Sequence, residues 1–262
     1  MALAGRLVWM ALTPLFLAGT GRPAQVSLRE ISEALARATP EHPIDFAGRD
    51  LSYLNLSGLN LAQARLAGAD LHGADLTDAN LSRADLAGAN LDHAVIIRAN
   101  FGAANLPHAS LRGLAAYSTL EPLAAEAPNF AGANLSGAAI YFRLGRVNLR
   151  GADLSGVQMG TGPGELRTNM RNDLAGCDLT DANLSHADLH EVRLPFAHLA
   201  HANLSDTDFT RADLAHADLS GADVTGADFT GADVDQAVMT DARGLDQAKG
   251  LDAMPGRRAA KR

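Results

Sequence analysis

Nine histidines, one cysteine and 30 carboxylates lead the side chains of this 262-residue chain that could ligate a metal or move a proton. Metal ligands must converge within about 2 Å of one point. His186, His201 and His216 recur fifteen residues apart at equivalent places in a repeat, a spacing that sends consecutive ones to different sides. His198 and His201 lie close enough to pair, but read more simply as solvated surface groups. His190-Glu191 begins a zincin-type pattern without its second histidine. The lone Cys177 excludes an intramolecular disulfide framework, a CxxC pair and a multi-cysteine zinc site. It stands where neighbouring repeats carry Ala, which makes it a small buried filler. No G-x-S-x-G elbow occurs, and Gly160-Thr161-Gly162-Pro163-Gly164 lacks the spacing of a dinucleotide loop. Neither Lys249 nor Lys261 follows a phosphate-binding glycine loop. The expectation is a protein that is not an enzyme, with no metal and no cofactor.

The elements that hold these residues begin with a leader. Arg6 precedes twelve apolar or near-apolar residues, Leu7 to Ala18, and small residues follow at Ala18, Gly19, Thr20 and Gly21. That arrangement predicts a secretory signal peptide over 1–24, cleaved between Gly19 and Ala24. The run is too short for a membrane span, which needs about 20 residues. The mature chain is therefore expected to hold no transmembrane segment and to reside in the periplasm or outside the cell. Next, over 25–43, comes a capping helix and linker. Ser27 and Glu30 form a capping box, Leu28, Ile31 and Leu35 an apolar stripe, and Pro40 and Pro43 a stop.

From Ile44 the chain repeats every five residues, with strings such as LAGAD LHGAD LTDAN LSRAD. Central Leu, Phe, Ile, Val or Met residues run from Phe46 to Leu111, from Phe130 to Met159 with a one-residue slip after Ile140, and from Leu174 to Met239. Ala usually precedes each centre by two residues, and Asp or Asn by one. Side chains alternate faces along a strand with period two. Five is odd, so a straight strand would throw successive centres to opposite faces. Keeping every centre inside requires one turn per repeat, hence a stacked coil: a solenoid. Ala212, Ala217, Ala222 and Ala227 are then expected to point inward, at corners without room for a branched side chain. The tracts are interrupted near 115–129 and 160–172, both containing Pro or Gly clusters, and these read as loops leaving the coil.

Spacing alone does not say how many sides the coil has. The pattern A-(D/N)-L-x-x, as in Ala69-Asp70-Leu71 and Ala212-Asp213-Leu214, resembles the pentapeptide-repeat family. The resemblance implies an all-β fold, a right-handed four-sided β-helix solenoid of twenty residues per coil, over 44–246 here. A basic C-terminal tail, 247–262, follows. Twenty residues per coil would lay Phe209 over Phe229.

The same alignment stacks Asp188, Asp208 and Asp228 in one column and Asp213 with Asp233 in another. Formal net charge is −8 overall, but residues 173–246 alone hold 14 Asp, one Glu and three Arg, a net of −12. Two carboxylates about 5 Å apart repel by roughly 1 kcal/mol in a water-like dielectric. Two readings of these five residues stand. In one, Asp bonds backbone amides at each corner, as in Asx-turns. In the other, they form an acidic partner-binding face. The functional expectation is an exported, non-enzymatic scaffold that binds an unidentified protein and no nucleic acid directly. Its oligomeric state is open, a dimer included. The resemblance also implies a rival, because some members of the family mimic DNA, occupy the DNA-binding saddle of gyrase and confer quinolone resistance. An exported protein could not meet cytoplasmic gyrase, so the two readings compete.

Overall fold

The computed structural model describes residues 25–39, 41–119, 122–141, 143–160 and 172–251. The leader expected over 1–24, the end of the basic tail and most of the second interruption lie outside these residues. A parallel ladder of backbone bridges organises the rest, joining residues twenty apart, as in Arg65 with Asp85 and Asp85 with Asn105. One coil is thus four pentapeptides. Around each bridge the bonding repeats: the Leu66 amide donates to the Asp85 carbonyl at 2.7 Å, and the Asp85 amide to the Ala64 carbonyl at 2.9 Å.

Every pentapeptide turns. The Ala69 amide donates back to the Leu66 carbonyl at 3.0 Å, closing a β-turn whose third residue, Gly68, has φ +65°. A positive φ at that place alone makes a type II turn, which favours glycine. Many repeats put another residue there, and Asp78, Arg98 and His216 hold φ between 55° and 60°. That left-handed geometry costs an L-residue on the order of 1 kcal/mol and persists only where surrounding bonds over-determine it. Here the ladder does so: the Asp78 amide donates to the Ile97 carbonyl of the next coil at 2.9 Å.

The turn sends the centre and the residue two before it inward. Leu66, Leu86 and Leu106 are fully buried, as are Ala64, Ala84 and Ala104. Phe209 stacks on Phe229 with ring centroids 5.0 Å apart. Phe101 stacks on Phe130 at 4.7 Å, a pair twenty-nine residues apart. The register explains it. Bridges span 29 residues across the first interruption (Asn100 to Asn129), 19 after the slip (Asn129 to Asn148), 30 across the second (Asn148 to Asp178), then 20 again. Nine residues are thus extruded between 115 and 129, part of them in a 3-10 turn at Ala124–Glu126. Beside this excursion run the two short strands β1 (Ser110–Arg112) and β2 (Ala139–Tyr141), paired in parallel.

The inward alanine column departs from expectation. Val147, Val157, Val192 and Thr207 occupy the same position and are all buried. The column therefore admits β-branched residues. They fit because small residues lie above or below them: Val157 between Ala138 and Ala187, Thr207 between Ala187 and Ala227. Thr207 also satisfies its hydroxyl by donating to the Leu184 carbonyl at 2.7 Å. Cys177 sits in this column, wholly buried, its thiol against the Leu144 carbonyl at 2.8 Å, and burial pushes its pKa up to about 12.

Helix α1 (Leu28–Arg37) carries the expected capping box, with the Glu30 amide donating to Ser27 Oγ at 3.2 Å and the Ser27 amide to Glu30 Oε2 at 2.8 Å. Its apolar stripe is not the expected one. Leu28 is 68% exposed; Ile31 is buried, with Ala34 and Leu35 packed beside it. Val26 replaces Leu28, because the Val26 amide donates to the Asp50 carbonyl at 2.8 Å and draws its side chain into the core. At the far end of the ladder, Val234 and Met239 are only half-buried and Val238 is exposed. Among the described residues no helix is long and apolar enough to cross a membrane.

The alanine column yields a graded test. Ala217 is buried and Ala215, two residues away, faces outward. Ala217→Leu is expected to cost about 1–3 kcal/mol by overpacking, and Ala215→Leu no more than about 0.5 kcal/mol. Ala217→Val should fall between them. Urea unfolding measures all three, and equal losses at 215 and 217 would contradict the inward assignment.

Candidate functional site: the acidic columns

The residue before each centre faces out, and its carboxylate or amide oxygen accepts the amide two residues on. Asp188 Oδ1 accepts from His190 N at 3.2 Å, Asp208 from Thr210 at 2.8 Å and Asp228 from Thr230 at 2.9 Å. Asp213 accepts from Ala215 at 3.2 Å and Asp233 from Asp235 at 3.0 Å. All five sequence-predicted residues therefore make Asx-turns. Bridges also stack them as expected: Asp188, Asp208, Asp228 and then Lys249 in one column, Arg193, Asp213 and Asp233 in the other.

Elsewhere the same position builds a second ladder. The Asn80 amide group donates to Asn60 Oδ1 at 3.1 Å, Asn100 to Asn80 at 3.3 Å, and Asn129 to Asn100 at 3.0 Å. Asn90 donates to Asp70, Asn105 to Asp85 and Asn183 to Asp153 in the same way. Each Oδ1 thus serves the local turn and the next coil together. An aspartate can begin such a ladder but cannot extend it, because an ionised carboxylate has no donor. Asp208 over Asp188, Asp228 over Asp208 and Asp233 over Asp213 each forgo that bond and bring like charges together. The charges are partly offset. Arg193 Nη1 lies 3.1 Å from Asp173 and its Nε 3.8 Å from Asp213, while Lys249 Nζ lies 3.8 Å from Asp228.

Three carboxyls of this tract, Asp218, Asp223 and Asp228, are held below the usual carboxylate range. The hydroxyls of Ser220, Thr225 and Thr230 are the main cause, with the amides of the same residues next.

Several outer clusters were not read from the sequence. His190 Nδ1 lies 2.6 Å from Asp188 Oδ1, and one donor atom each from Asp188, His190 and Asp208 fall within 4.8 Å of one another. Tyr53, His72 and His93 form an edge-to-face file with centroids 5.2 Å apart, and Phe196 stacks on His216 at 4.7 Å. His93 lies over Gly113, His108 over Gly137 and His201 over Gly221, where a Cβ would collide with each imidazole. A histidine in the last place of a repeat, with glycine one coil later, was the available signal.

A family model for pentapeptide repeats matches in eight copies, over residues 44–83, 74–113, 173–194 and 194–231. The chain belongs to the pentapeptide-repeat family. The fold of that family is a right-handed β-helix, in keeping with the parallel ladder here. Among solved structures the chain is similar to HetL, a pentapeptide repeat protein involved in heterocyst differentiation regulation from the cyanobacterium Nostoc sp. strain PCC 7120. That match has 27% identity over 88% of this chain and 100% of that one, with a TM-score of 0.45. It is also similar to QnrB1, a plasmid-mediated fluoroquinolone resistance protein, with 17% identity over 79% and 88% of the chains and a TM-score of 0.35. A third match is a pentapeptide repeat protein from the Arabidopsis thaliana thylakoid lumen, with 25% identity over 52% and 81% and a TM-score of 0.23. No curated protein matches the sequence.

Two substitutions of opposite sign test the outer ladder. Asp233→Asn supplies a donor toward Asp213 Oδ1 and removes a repulsion, so stability should rise by about 0.5–1.5 kcal/mol. Asn100→Asp removes the donor that reaches Asn80 and should lower stability by a similar amount. Denaturant midpoints of the same sign for the two would refute the ladder. Acid titration gives a second check. A carboxyl whose folded pKa is depressed contributes stability above its unfolded pKa, near 3.9, and loses it as pH falls through the lower folded value. Asp218, Asp223 and Asp228 therefore predict a stability that declines below about pH 4. Replacing all three by Asn should flatten that decline in urea melts run at successive pH values.

Proposed function

We propose that this protein is a non-catalytic interaction scaffold whose acidic columns dock a basic surface of a protein partner. In this reading the coil is four-sided, α1 covers its N-terminal end, and 25–43 serve as cap and linker. The β-helix proper spans 44–246 with loops near 115–129 and 160–172, and 247–262 form a basic tail. Residues 1–24 fit a secretory signal, so the partner is met in the periplasm or outside the cell.

One observation carries the proposal: aspartate stacked on aspartate at a position where asparagine would bond from coil to coil. The local turn needs only the Oδ1 that both residues supply, so the turn does not explain the choice of charge. A row of carboxylates on a rigid backbone explains it, because fixed like charges raise the local field and steer a cationic partner. The short side chains are already held by their Asx bonds, so little rotamer freedom is lost on docking.

A labelled nona-arginine peptide at low ionic strength is a suitable probe. Replacing Asp188, Asp208, Asp228, Asp213 and Asp233 together by Asn should weaken its binding by roughly tenfold or more. Replacing Asp75 and Asp85 in the first tract should change it by no more than about twofold. Equal binding by both variants would remove the acidic face from the proposal. Fractionation of cells expressing a C-terminally tagged chain tests export, and full-length protein kept in the cytoplasm would end that part. Inhibition of gyrase supercoiling by micromolar 25–262 would replace the reading with DNA mimicry.

A further inference from the structure

We propose that Asp188, His190 and Asp208 form a binding site for one divalent cation of the zinc class, beyond the docking role given to the acidic columns. The cluster joins two successive coils. Asp188 and Asp208 are bridge partners, so their carboxylates leave adjacent rungs in the same direction. Backbone amides pin one oxygen of each, His190 N on Asp188 at 3.2 Å and Thr210 N on Asp208 at 2.8 Å. His190 belongs to the same turn as Asp188 and folds its ring back over it, with Nδ1 2.6 Å from Oδ1. One nitrogen and two carboxylate oxygens, one from each residue, thus lie within 4.8 Å of one another.

A second observation concerns the surroundings of the cluster. Gly160 is buried and lies directly over it; a Cβ there would collide with His190 Nδ1 and Asp188 Oδ1. The chain thus leaves free of side chain the volume in which those two donors meet. The Tyr141 hydroxyl holds this backbone by donating to the Gly160 carbonyl. Asp188 and His190 are both half-buried, so the donors are partly desolvated.

Electrostatics supplies the drive. In the same tract two other stacked aspartates face a guanidinium or an ammonium, Arg193 at 3.8 Å from Asp213 and Lys249 at 3.8 Å from Asp228. Between Asp188 and Asp208 the corresponding group is an imidazole, which is a cation only when protonated. A divalent ion would take the place of that proton, with neutral Nδ1 as ligand, and would balance both carboxylates. Mixed nitrogen and oxygen donors favour zinc over calcium or magnesium, which take oxygen alone. Three protein ligands leave the fourth tetrahedral position to water.

Calorimetric titration of zinc chloride into the full chain tests the site, with calcium chloride as the contrasting probe. One zinc equivalent is expected, with no comparable calcium site. His190→Gln and Asp208→Asn should each weaken zinc binding by about tenfold or more. Gly160→Ala should also weaken it although all three donors remain, and Asp233→Asn in the neighbouring column should not. Melting curves without metal show whether each variant is folded. Independently of any variant, the imidazole nitrogen resonances of His190 should move on zinc addition ahead of those of His198 and His201. Absence of a site at millimolar zinc, an unmoved His190 resonance, or equal affinity in all variants would overturn the proposal.

Discussion

An odd repeat length is the constraint from which the molecule follows. Five residues cannot alternate in and out and return in phase, so each pentapeptide must include a reversal. The reversal here is a type II turn with a left-handed residue in its third place, and non-glycine residues as different as Tyr53, Asp78 and Phe196 accept that conformation. They are held there because the turn is bonded on both sides, by its own 3.0 Å closure and by the rungs above and below. Local strain and long-range ladder are therefore one arrangement. Neither would stand without stacked neighbours, as in other solenoids, where each unit is stabilised mainly by the next.

This arrangement separates two sets of positions. The centre and the residue two before it define the interior, where a methylene gained or lost is felt. The other three positions meet water, and their identity is limited only by the turn. Asn and Asp serve the turn equally through Oδ1 but differ toward the next coil. Runs of Asn over Asn or Asp, as at 60–80–100–129, tie coils together through side chains. Runs of Asp over Asp, as at 188–208–228, give up those ties and gain charge. Because contacts are confined to neighbouring coils, the loss stays local, and from Leu174 to Phe229 the interior of the third tract is as well buried as that of the first.

The fold was legible because the repeat is long and its centres are nearly all aliphatic or aromatic. The stacking of Phe209 on Phe229 followed from a twenty-residue coil, and the five acidic positions followed from the same count. Phe101 on Phe130 did not, since an extruded loop hides the register; only the resumption of bridges at Asn129 reveals it. From sequence the alanine column looks too tight for branched side chains, because most of its members are Ala. The packing that admits Val157 and Thr207 depends on residues one coil away, which a single repeat does not display. Spacing alone puts Leu28 in the helix stripe. The preceding strand-like pairing of Gln25 with Asp50 turns the helix so that Val26 and Ile31 go inward instead.

The cluster around His190 shows why side-chain chemistry was harder to read than architecture. In sequence, His190 is followed by Glu191 and suggests a helical metal motif that is incomplete. In the coil it is the residue after a centre, close to its own turn's aspartate and to the aspartate one coil later. Side chains that meet on such a fold are spaced by two and by twenty, not by the three or four of a helix. A metal-ligand search built on helical spacing therefore passes over it. The same rule applies to His93, His108 and His201, each set over a glycine of the next coil. On a solenoid, the neighbour that decides what a side chain can do stands one coil away, and the length of the coil must be known before that neighbour can be named.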